Sequence, residues 1–231
     1  DSVWLANIRV KLAVVVVAAG LGVIGCAGGG GGPAAGDESR PAVGEKIAVE
    51  AYLFDAVLKK DGKTTSFRLE MYATDTLVAL AGRGYLGKGA LRGVIGARSL
   101  QVYFPSTNEY VDESYATLLT DSACDFVVNR FDPVRFLFAL PDSEVLDSQV
   151  RVVTKASRDS RKAYVVTAEC DWELELEYDR RPPGWRPIEL RFVDGKGTSL
   201  KAVRREYRLG ARVNSSKFRF SFPPDAMRLS P

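Results

Sequence analysis

Trp172-Glu173-Leu174-Glu175-Leu176-Glu177-Tyr178 is the most regular stretch of the chain. Large apolar residues hold every second position, and a glutamate fills each position between. Successive side chains of a strand point to opposite faces, so this segment has one apolar and one acidic face. Such alternation belongs to an antiparallel sheet with one side packed and the other in water. Trp172, Leu174, Leu176 and Tyr178 are therefore expected to face an interior. Paired carboxylates on one strand face are also what a glycoside hydrolase uses. A solvated sheet face explains acids at period two without any chemistry, so no enzyme is expected.

The same texture extends on both sides. Arg151–Thr154 and Ala163–Ala168 flank a polar turn, Ser157–Arg161. Arg180-Arg181-Pro182-Pro183-Gly184-Trp185-Arg186-Pro187 reads as a basic, proline-stiffened loop, either solvated or meeting an acidic partner or phospholipid headgroups. Ile188–Val193 and Ser199–Leu209 form a hairpin around Asp194-Gly195-Lys196-Gly197, and Phe218, Phe220 and Phe222 suggest a last alternating strand. In the first half, Ile47–Leu58 and Thr64–Ala73 flank the turn Lys60-Asp61-Gly62-Lys63. Thr76–Ala81, Leu91–Ile95, Ser99–Phe104 and Tyr110-Val111 follow, with a glycine-rich loop at Gly82–Gly89 and a turn at Pro105–Glu109. The expectation is a mainly β domain: a single antiparallel, strongly curved sheet of about 10–11 strands.

The middle is different. Tyr115–Leu119 and Ala123–Asn129 have helical texture, and Asp132-Pro133 is a helix start. Val134, Phe136, Leu137, Phe138 and Leu140 follow before Pro141, giving a short helix apolar nearly all round. Such a helix must cover something or be covered.

The chain has no histidine, which excludes Ser-His-Asp and Cys-His centres and His-ligated metal; no metal or other cofactor is expected. A net charge of +3 gives no argument for nucleic acid. At the other end of the chain, Arg9 and Lys11 precede the apolar run Leu12–Gly25, which closes on Val23-Ile24-Gly25-Cys26. The run is short of the ~20 residues a spanning helix needs. It has the charged start, apolar middle and small residues of a signal peptide, and resembles a bacterial lipobox. That resemblance implies cleavage before Cys26 and a covalent lipid on its thiol. The chain opens on Asp1 rather than Met, so its natural start is expected elsewhere. Gly28–Gly32 and the Pro/Ala/Gly-rich residues after them behave as a flexible tether. The expected organisation is a signal peptide (1–25), a lipidated Cys26 with its tether (26–44) and one domain (45–231). Cys124 and Cys170 remain, either paired in an oxidising compartment or buried as free thiols.

In order, these features resemble the LolA/LolB family of lipoprotein-sorting carriers. Tyr85-Leu86-Gly87 looks like the Pro-Leu-Gly loop of that family, with Tyr85 in place of proline. Phe131–Pro141 is similar to its Leu-Gly-Leu-Pro helix, and Phe218–Pro224 to its closing segment. The resemblance implies an unclosed β-barrel whose apolar groove takes acyl chains under short helices. Val134, Phe136, Leu137, Phe138 and Leu140 would be the lid, and Trp172, Leu174, Leu176 and Tyr178 would line the groove. It implies that Leu86, with Tyr85 beside it, helps deliver cargo into the membrane; the plainer alternative is an ordinary buried turn. Implied partners are lipoprotein or lipid acyl chains, a periplasmic LolA-like carrier and the bilayer itself. The expected place is the periplasmic leaflet of the outer membrane, as a monomer. A second reading is an assembly adaptor whose barrel is filled by Trp172, Tyr178, Phe218 and Phe220.

Overall fold

The structure, a computed structural model, describes residues 44–60, 62–84, 89–96, 99–114, 150–153, 160–166, 172–182, 184–194, 197–219 and 221–229. Cys26 with the expected signal peptide and most of the expected tether, Tyr85 and Leu86, the expected helices within 115–149, Cys124, Cys170 and Phe220 lie outside the described residues.

Twelve strands succeed one another: β1 (Lys46–Lys60), β2 (Lys63–Ala73), β3 (Val78–Arg83), β4 (Gly89–Ile95), β5 (Ser99–Phe104), β6 (Glu109–Ser114), β7 (Val150–Val153), β8 (Ser160–Val166), β9 (Trp172–Arg181), β10 (Gly184–Asp194), β11 (Ser199–Asn214) and β12 (Met227–Arg228). They form one sheet in the order β12-β6-β5-β4-β3-β2-β1-β11-β10-β9-β8-β7. The two ends of that order do not pair, so the curved sheet is an unclosed barrel. All neighbours are antiparallel except β12, which adds to β6 in parallel and accounts for the strand beyond the expected ten or eleven.

Register makes one apolar face continuous. Tyr52 stands opposite Met71, Met71 opposite Leu80, Leu80 opposite Gly93, Gly93 opposite Val102, and Val102 opposite Val111. In the other direction Ala56 faces Ala202, Ala202 faces Leu190, and Leu190 faces Leu176. Each side chain in this row is exposed by 5 % or less. Neighbours close tightly over the one glycine in it. A Cβ on Gly93 would stand 2.8 Å from both the Gln101 carbonyl oxygen and Val102 Cγ2. Bulges on β11, opposite Val49/Ala51 and Leu53/Phe54 of β1, and at Pro187/Glu189 on β10, add the twist that coils the sheet.

The outer face carries the polar half of the alternation, with one apolar exception. Asn214 caps a 3-10 turn, Ser215–Phe218, by accepting from the Ser216 amide at 2.8 Å. The turn lays Phe218 against Val49 and Ala79 on the outside. The chain then crosses to β6, where Phe222 stacks on Tyr110 at 4.1 Å. The Met227 and Leu229 amides donate to Asn108 and Tyr110 carbonyls, covering the β6 edge. Two expectations change here. Phe218 and Phe222 are not an alternating strand, and Phe218 does not fill the barrel. The turn expected at Ser157–Arg161 ends earlier, because Ser160 and Arg161 already belong to β8.

Candidate functional site

The candidate site is the inner face and the polar cluster at one end of it. Leu176 and Tyr178, two of the four residues expected to face inward, are fully buried, while Glu175 and Glu177 are half-buried. Leu174 and Trp172 are placed by register, opposite Phe192 and Asp194. Burial pushes the Tyr178 phenol well above its ordinary range.

Toward the start of β1 the inner row turns from apolar to charged. The basic stretch at 180–187 is not a loop. β9 runs to Arg181 and β10 begins at Gly184, which pairs with Arg181, so the stretch is a tight hairpin with Pro182 at its turn. Arg186 is consequently carried inward and is 7 % exposed. It reaches over β11 to β1, donating from Nη2 to Glu50 Oε1 at 2.5 Å, and from Nη1 to the Trp185 carbonyl at 2.9 Å. Glu50 also accepts from the Tyr52 hydroxyl at 2.5 Å. Tyr52 and Tyr207 pack with ring centroids 5.1 Å apart. A second pair repeats the device one strand along. Arg204 on β11 reaches over β10 to Asp179 on β9 at 2.6 Å and donates to the Pro187 carbonyl at 2.9 Å. Pro187, which has no amide proton to offer, sits at the bulge, where none is needed.

Titration follows from these contacts. Burial raises the Tyr52 phenol, and its hydrogen bond to Glu50 raises it further. For Arg186, burial works against the charged form, but the Glu50 carboxylate outweighs it and the guanidinium is held more firmly protonated. Burial likewise opposes the Asp179 carboxylate, yet hydrogen bonds from Arg204 and Arg181 hold it below its ordinary value of 3.8.

Sequence reading missed Glu50, Arg186 and Arg204 as a unit. A signal was present: Arg204 continues the inward series Leu200, Ala202, and Glu50 precedes the inward series Tyr52, Phe54. Among the described residues no group of His, Cys, Asp and Glu is arranged to hold a metal ion. No described helix is long and apolar enough to cross a membrane.

No protein-family model matches the chain, and no curated protein does. The chain path is similar to that of a LolA superfamily protein. That structure, from Nitrosomonas europaea, is 11 % identical over 75 % of this chain and 91 % of its own, with a TM-score of 0.37. A putative outer membrane lipoprotein-sorting protein domain from Vibrio parahaemolyticus is 10 % identical over 74 % of this chain and 89 % of its own, with a TM-score of 0.41. A DUF1329 family protein from Desulfovibrio piger is 11 % identical over 75 % of this chain and 90 % of its own, with a TM-score of 0.44.

Proposed function

We propose that the protein is a lipid-anchored carrier, held in the outer membrane by acylated Cys26. It would accept lipoprotein or lipid acyl chains on its inner face from a periplasmic LolA-like carrier and help insert them into that membrane. The observation supporting this is the unbroken apolar row from Val111 to Leu176, lying inside a sheet that does not close. Such a surface stabilises hydrocarbon by ~0.8 kcal/mol per buried CH₂, so transfer needs only a difference in affinity between donor, groove and bilayer. No covalent chemistry is involved. Val134, Phe136, Leu137, Phe138 and Leu140 would close over the chains, and Tyr85 and Leu86 would assist release.

One observation favours a second reading. The inner row is almost inaccessible, with Tyr178 and Leu176 at 0 %, as in an adaptor whose barrel is filled by its own side chains. Native mass spectrometry and lipid extraction of the purified chain separate the two. Recovered acyl lipid, and uptake of a lipoprotein from its carrier, support the carrier. An empty protein that takes up nothing establishes the adaptor. In the same assay Leu86→Glu should retain uptake and lose delivery to liposomes; unchanged delivery removes Leu86 from the mechanism.

A further inference from the structure

The basic residues Arg180 and Arg181 are exposed, and register places them at the same end of the sheet as other cations. β1 begins and β11 ends at the same end of the barrel, since Lys46 stands opposite Asn214 and Ala48 opposite Arg212. The β9–β10 hairpin tip is at this end too, because Arg186 from β10 touches Glu50. Backbone pairing of β11 with β10 stops at Val203, so beyond it the β11 ladder runs along β1 alone among the described residues. Here Leu209 is 57 % exposed at a bulge where Gly210 takes φ 70°. Lys46, Arg180, Arg181, Arg208 and Arg212 lie at the same end of the sheet, all exposed. Among the described residues the exposed acids of this rim are Glu45, Asp75 and Glu206. Glu206 pairs with Arg208 at 2.7 Å, but both are open to water, so the pair constrains little. The half-buried carboxylate Glu50 is matched by Arg186 and Asp179 by Arg204 and Arg181, leaving the described residues of the rim with excess positive charge.

An exposed leucine at an end of the sheet rich in exposed arginines suits the headgroup layer of an anionic bilayer: the apolar tip enters and the guanidiniums meet phosphates. The chain before β1 reaches the domain at this same rim, from Cys26. We propose that this rim docks on an anionic phospholipid surface, with Leu209 at headgroup depth. The inference draws on the anchored-carrier reading only for orientation; the charge and the exposed leucine stand apart from it.

The test is flotation of the full chain carrying Cys26→Ser with phosphatidylcholine vesicles, with and without about 30 % phosphatidylglycerol. The readout is the ratio of the two partition coefficients, in which the apolar contribution of Leu12–Gly25 cancels. Each basic residue near such a surface contributes about fivefold. The wild-type ratio should therefore exceed about tenfold at ~0.1 M salt and fall toward one at high salt. Arg208→Glu with Arg212→Glu should lower it by at least about tenfold. Lys59→Glu with Lys63→Glu makes the same charge change at the far end of β1 and should alter it by less than about threefold. Leu209→Asn should lower partition into both vesicle types. A wild-type ratio near one, or equal losses from the two double reversals, overturns the proposal. Acyl-lipid recovery from the same variants is the separate measure of the carrier reading, and Arg208 and Arg212 should not affect it.

Discussion

Glu50→Gln is the most informative perturbation of the inner cluster. It removes a charge and leaves the shape. The Arg186 side chain is 8 % exposed and that of Glu50 20 %, so the pair is largely withdrawn from water. Breaking one partner of a buried pair costs about 3–5 kcal/mol, because the remaining charge stays buried without its counter-charge. Glu50 keeps some solvent and Arg186 keeps the Trp185 carbonyl, which places the expected loss at the lower end, about 3 kcal/mol. In a domain of this size that lowers Tm by about 6–12 °C. Arg186→Met alone should cost less, about 2 kcal/mol, since Tyr52 still donates to the orphaned carboxylate. The double variant, Glu50→Gln with Arg186→Met, should lose far less than the sum, because no buried ion remains.

Urea and thermal denaturation near neutral pH would measure the cycle, with near-ultraviolet dichroism confirming that each variant keeps its packing. A coupling of at least ~2 kcal/mol is expected. The reasoning is refuted if Glu50→Gln costs under ~1 kcal/mol, or if the two changes add to within ~0.5 kcal/mol. Either result would mean that the cluster is open to solvent and is not a clasp between β1 and β10.

Two further outcomes follow from named contacts. The native Asp179 carboxyl titrates below 3.8, so its stabilising effect is full above that value and disappears as pH falls through the lower native value. Asp179→Asn should flatten the acid limb of a stability–pH profile below about pH 4 and leave its alkaline side unchanged in shape; an unaltered acid limb counts against the Arg204 and Arg181 contacts. Gly93→Ala places a Cβ 2.8 Å from a carbonyl oxygen and a valine methyl, and should cost about 1–3 kcal/mol by urea denaturation; a neutral result would show that β4 and β5 do not approach so closely there.

Local patterning accounted for most of the sheet. Alternation in Trp172–Tyr178 and the turn at Gly62, φ 71°, translate directly into β9 and the β1–β2 hairpin. The tail misled because phenylalanines at period two are equally compatible with a strand and with a strap whose alternate side chains fill separate dents. Asn214 turns the backbone before Phe218, and that cap outweighs the period. The prolines of 180–187 misled in another way. Pro182 lies in the hairpin turn, and Pro187 at a bulge, so neither interrupts the ladder. The clasp itself joins residues 136 apart in sequence, and only the coiling of the sheet brings them together.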